Sequence, residues 1–157
     1  MLYFTKIPID NSPLIDAENA IRKYSLKRHV LLDFQSSSSN ITEDKYFLGN
    51  ENKNHLLITR IRTSFEWFFP KLITNISKQP QFESFKVRYC LLSSVILLYF
   101  IFAISQSIYY SIVENELDED IFYWLTFLGA FLVMTFIELK LTKRKINQAI
   151  NNFAAIT

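Results

Sequence analysis

The sequence predicts a membrane protein of the α+β class: a cytoplasmic helix and an antiparallel β-meander, followed by a two-helix transmembrane hairpin and a basic C-terminal helix. Three observations predict it. Residues 89–113 form a run of 25 positions without a formal charge. A second uncharged run covers residues 121–137. Charge is also segregated along the chain: residues 1–88 carry 13 Lys+Arg and 9 Asp+Glu, residues 89–137 carry five acids and no base, and residues 138–157 carry four bases and one acid. Composition agrees, since 50% hydrophobic residues with only 2 Gly and 4 Pro exclude collagen-like, low-complexity and globally disordered chains. A single cysteine, Cys90, excludes an intramolecular disulfide framework and a multi-cysteine zinc site.

Residues 1–88 read as one cytoplasmic α+β domain. The first eight residues lack a charged n-region, a long apolar stretch and a small-residue cleavage site, so the first span is expected to act as its own insertion signal. Ser12-Pro13 with Asp16 and Glu18 marks a helix start, and Leu14, Ala17, Ile21 and Tyr24 recur at helical spacing, which predicts a helix from about Pro13 to Ser25. Gln35 to Asp44 is a polar loop. Four strand-like runs follow: Lys45–Gly49, His55–Thr63, Trp67–Lys78 and Phe82–Arg88. Leu56 and Ile58 alternate with Leu57 and Thr59, and Phe85, Val87 and Tyr89 alternate with Ser84, Lys86 and Arg88. The connections at Asn50–Asn54 and Gln79–Gln81 suit hairpins. For Trp67 to Ile76 an interfacial helix is the alternative to a strand.

Residues 89–141 read as the hairpin, with spans at about 89–113 and 121–141 and an outer turn at 114–120. At 1.5 Å per residue the first run crosses a ~30 Å hydrocarbon core with room for tilt. The second is shorter and continues through Glu138 and Lys140, whose charged groups are expected to snorkel to the interface. The turn has five carboxylates in seven residues and no base. Lys86 and Arg88 on one side, with Lys140, Lys143, Arg144 and Lys145 on the other, predict that both termini are cytoplasmic. These six residues are the candidates for topology or lipid-headgroup contact. Residues 142–157 form a basic helix and tail, expected to continue the second span because no Gly or Pro interrupts it.

Gly49, the pattern Leu56-x-Ile58-x-Arg60, the run Phe68-Phe69-Pro70-x-x-Ile73 and a hairpin ending in Phe136-x-Glu138 resemble small bacterial two-span membrane proteins with a strand-rich N-terminal domain. The resemblance covers residues 45–145. Here Phe65-Glu66-Trp67 stands where those proteins carry a polar Arg-Asn-Ser run, and no activity is implied. It does imply a bacterial inner-membrane location.

No constellation for chemistry is legible. There is no Walker loop, no Gly-x-Ser-x-Gly and no Gly-x-Gly-x-x-Gly. His29 and His55 lack a second ligand at metal spacing, and the acidic turn lacks the EF-hand glycine, so no metal and no cofactor are expected. No Asp, Glu, Lys, Arg or His lies within the spans before Glu138, which argues against ion-coupled transport. No nucleic-acid reading motif accompanies the bases near residue 25. The specific intramembrane signal is Ala103, Ser107 and Ser111 at four-residue spacing, with Gln106 beside them. Thr126 and Ala130, with Gly129, repeat the spacing on the second span and are expected to face them, or else a partner's helix. The sequence therefore predicts a non-enzymatic accessory, interaction or immunity-type protein, in contact with membrane lipid and with another membrane protein or a second copy. The rivals are a membrane-surface enzyme, using His29 or His55 with Asp33, Asp44 or Glu66, and a subunit of an oligomeric channel.

Overall fold

The structure, a computed structural model, describes residues 3–8, 14–28, 30–35, 44–51, 55–77, 84–114 and 118–155. Six strands and three α-helices follow in the order β1 (Thr5–Pro8), α1 (Leu14–Lys23), β2 (Ser25–Lys27), β3 (Phe47–Glu51), β4 (His55–Arg60), β5 (Leu72–Ser77), β6 (Ser84–Tyr89), α2 (Leu91–Glu114) and α3 (Asp120–Ala154). The strands form one mixed sheet in the order β1-β6-β5-β4-β3-β2.

The predicted meander is its centre. β3 pairs antiparallel with β4, β4 with β5 and β5 with β6, in registers that set Gly49 opposite Ile58, Leu57 opposite Asn75 and Leu72 opposite Tyr89. The two edges depart from a pure meander. β1 adds antiparallel to β6, and β2 adds parallel to β3. Glycine suits that parallel edge: a Cβ on Gly49 would stand 3.3 Å from the Ser25 Cβ, so a side chain there would press on β2. Residues 67–77 divide. Ser64–Phe68 is a 3₁₀ turn, and the strand begins only after Pro70, which lacks the N–H that a ladder needs.

Period-2 alternation sorts the strand residues between two faces. Phe47, Leu56, Ile58, Leu72, Ile76, Phe85 and Val87 form one core with Ala17 and Ile21 of α1 and Ile146 and Ala149 of α3. Leu48 and Ile73 face the other way, where Leu32 and Cys90 join them. Most of the predicted loop at 35–44, the sequon-like Asn40-Ile41-Thr42 and the hairpin tips lie outside the described residues.

Cys90 alone separates β6 from α2. The second apolar run and the basic C-terminal segment form a single helix of 35 residues, α3, whose end packs on α1 and the sheet. Residues 142–154 thus share the core of the N-terminal part. Both α2 and α3 are long and apolar enough to cross a bilayer. Only 17% of the most apolar stretch of α2 and 11% of that of α3 is buried within the protein.

Candidate functional site

Where the sheet meets the helical pair, charged side chains from distant parts of the chain converge. Glu138, on α3, is 1% exposed and accepts hydrogen bonds from two arginines. Arg60 Nη2, from the end of β4, donates to Oε2 at 2.7 Å, and Arg62 Nε donates to Oε1 at 3.3 Å. Arg60 Nη1 also donates to both oxygens of Glu66, at 3.0 and 2.9 Å. Glu66 in turn accepts from the Thr63 backbone N–H at 2.9 Å, which ties the 3₁₀ turn to β4. Arg62 completes its bonds on the carbonyls of Phe69 and Pro70, at 2.7 and 2.8 Å.

A second ion pair lies beside it. Arg88 of β6 donates through both terminal nitrogens to Asp33, at 3.0 and 2.9 Å. Asp33 Oδ1 also accepts from the Leu91 N–H at 2.9 Å, serving one of the free donors at the start of α2. Ser93 Oγ accepts the Lys71 backbone N–H at 2.9 Å. The Lys71 ammonium donates to the carbonyls of Leu32 and Gln35.

Burial and partners act in opposite directions on these groups. Burial disfavours the Arg60 charge, but Glu138 and Glu66 outweigh it and its pKa is raised. At Arg62 burial wins over the Glu138 attraction, and the pKa is lowered. Burial also lowers that of Lys71. Asp33 is held below the ordinary carboxylate value chiefly by its bond to Arg88. Burial opposes the Glu66 charge too, but the Thr63 N–H and Arg60 carry its pKa downward. The chemistry available here is electrostatic fastening. Both carboxylates of the cluster are bound by guanidinium groups, and neither is free to act as a base.

Several sequence expectations are corrected at this junction. Glu138 does not snorkel to an interface; two buried arginines hold it inside. Arg88 is 5% exposed and spent on Asp33, so it is withdrawn from headgroup contact. Lys86 is exposed and lies over the Tyr3 ring, and Lys145 lies over that of Tyr46. Lys140, Lys143 and Arg144 are exposed.

On α2, Ala103 and Ser107 are buried at 8% and 5%, and Ser111 is half-buried, its Oγ accepting the Asp118 N–H at 3.0 Å. Gln106 is exposed. The intrachain half of the expectation for α3 is not met, which leaves the alternative of a partner's helix. Thr126, Gly129 and Ala130 are exposed, and a Cβ on Gly129 would meet nothing within 4 Å. Phe131 and Thr135 are buried instead, and rings mediate the contact: Phe100 lies 6.0 Å from Phe131 and Tyr99 5.7 Å from Trp124. Large rings bury more apolar area than a small-residue stripe and so set the helix phase.

The histidine and carboxylate candidates occupy separate settings. Asp33 is bound to Arg88, Glu66 to Arg60, His55 is exposed at the start of β4 and Asp44 is exposed, while His29 lies outside the described residues. Among the described residues no group of three or more potential metal ligands occurs. Sequence reasoning missed Arg60, Arg62 and Lys71 as site residues; the signal was three bases inside the strand-like runs His55–Thr63 and Trp67–Lys78, Arg60 among them in the pattern Leu56-x-Ile58-x-Arg60. Comparisons with protein-family models, curated proteins and solved structures find no match to this chain.

Proposed function

We propose that the chain is an integral protein of a bacterial inner membrane, acting as a non-enzymatic accessory, interaction or immunity-type subunit, with the sheet and both termini on the cytoplasmic side. The observation that carries the membrane reading is the exposure of apolar residues: only 17% of the most apolar stretch of α2 and 11% of that of α3 is buried within the protein, which leaves an apolar surface that water would not cover favourably. A bilayer supplies that cover. Phe34, Trp67 and Phe68 are exposed and line one cavity with Leu92 of α2 and Met134 of α3, as an interfacial collar requires. Orientation is supported by Lys140, Lys143 and Arg144 just past the apolar half of α3 and by the acidic composition of 114–120. The non-enzymatic reading is supported by the engagement of Asp33, Glu66 and Glu138 in ion pairs that fasten the fold.

The test is fractionation combined with site-specific labelling in a Cys90→Ser background. The protein should stay with membranes through alkaline carbonate. An impermeant thiol reagent applied to spheroplasts should label Asn115→Cys and miss Asn147→Cys. Release by carbonate would overturn the membrane reading, and labelling of Asn147→Cys alone would reverse the orientation.

A further inference from the structure

Beside the charged junction, loop 30–35, the 3₁₀ turn and the inner ends of α2 and α3 border a half-open cavity of about 650 Å³. That volume is typical of a small-molecule site. Its polar end holds Lys71, Ser93 and Gln35; its other walls are Ile96, Phe100 and Phe127 with their neighbours.

Lys71 is the charge left over. Arg60, Arg62 and Arg88 are matched by Glu66, Glu138 and Asp33, each in an ion pair. Lys71 is 9% exposed and, among the described residues, has no carboxylate within ion-pair distance; it donates to two carbonyls and keeps a third N–H. Asp33 lines the same cavity but is spent on Arg88, and burying a cation without an anion in contact is costly unless one completes the site. Independently, Gln35 Oε1 is buried with no hydrogen-bond partner. Rotation of that amide presents an N–H in the same place.

We propose that this cavity holds one anionic phospholipid, its phosphate against Lys71 and Gln35 and one acyl chain along Ile96, Phe100 and Phe127. The inference rests on the membrane reading above. Leu91 to Phe100 is about 14 Å of helix, so the cavity runs from the first turn of α2 roughly halfway through a hydrocarbon core. Its cationic end then lies at headgroup height and its apolar end among acyl chains. Free phosphate would satisfy Lys71 but leave the ring-lined walls unfilled. A zwitterionic lipid would bring no net charge to match the excess one.

The experiment uses the full chain in nanodiscs of phosphatidylcholine with a minority of phosphatidylglycerol, re-extracted into mild detergent, with retained lipid counted by native mass spectrometry. One phosphatidylglycerol per chain is expected to persist. Lys71→Met and, separately, Ala130→Phe, which fills the apolar end from an exposed helix position, should each lower retention about tenfold. Lys140→Gln with Lys143→Gln and Arg144→Gln should leave it unchanged, and millimolar inorganic phosphate should not displace the lipid. Equal loss in the triple variant, full retention in both cavity variants, or displacement by phosphate would each overturn the proposal. A chain in the discs without bound lipid overturns this site alone; a chain that stays outside the discs overturns the membrane reading and the site together.

Discussion

The two halves of α3 keep one buried seam and present opposite surfaces. Phe131, Thr135, Glu138, Thr142, Ile146 and Ala149 recur every three or four residues, so the inward face passes without interruption from helical partner to sheet. Outward, the first half shows Phe122, Tyr123, Leu125, Phe127, Leu132, Val133 and Phe136, whereas the second shows Lys140, Lys143, Arg144, Asn147, Gln148 and Asn151. The buried seam is thus common to both halves, and the outward faces are where they differ. Glu138 stands at the change-over, where the seam itself becomes charged.

The largest effect should come from breaking that point. Glu138→Ala leaves Arg60 and Arg62 buried without their shared carboxylate, which costs about 3–5 kcal/mol and should appear as a large fall in the thermal midpoint of the detergent-solubilised chain. Glu138→Leu combined with Arg60→Met and Arg62→Met should recover much of it; failure of that triple variant to recover would mean that the cluster contributes net stability to the fold. A smaller effect separates the seam from the outward face. Ala103→Leu should destabilise by about 1–3 kcal/mol through overpacking against α3, while Ala130→Leu on the exposed side should stay within about 0.5 kcal/mol. Equal losses at the two positions would return Ala130 to the helix interface.

The smallest effect concerns pH. Asp33 is lowered from 3.8 by Arg88 and by the Leu91 N–H, so its contribution to stability is fully present above 3.8 and is lost as pH falls through the still lower folded value. Glu66, lowered from 4.5, acts in the same sense. Acid should loosen loop 30–35 and the 3₁₀ turn while the hairpin keeps its helix content, read as a change in tryptophan emission ahead of any loss of far-ultraviolet signal. Arg88→Met should flatten the Asp33 part of that profile.

What was legible in the sequence was whatever repeats locally. Alternation at Leu56–Thr59 and Phe85–Tyr89 marked the central strands, uncharged length marked both long helices, and the lack of Gly or Pro marked the fusion of the second apolar run with the basic tail. β1 and β2 were missed because four and three residues carry no usable period, and each is a strand only by pairing with β6 or β3 far along the chain. The intrachain contact expected at Thr126, Gly129 and Ala130 is not seen because small-residue spacing does not say which helix it faces, while rings at Trp124 and Phe131 make the contact with α2. Glu138 was misread for a similar reason: its partners lie 78 and 76 residues away, and a carboxylate at the end of an apolar run looks the same whether it turns outward or in.

The single residue between β6 and α2 has a mechanical meaning. A domain hung from a span by a flexible linker rotates freely about it, but here the entering helix leaves directly from a central strand, and the returning helix is clamped by Glu138 and then by Ile146 and Ala149. Two stiff attachments on one body define a lever. A change in tilt of the helical pair is therefore passed through both attachments to the sheet as one body.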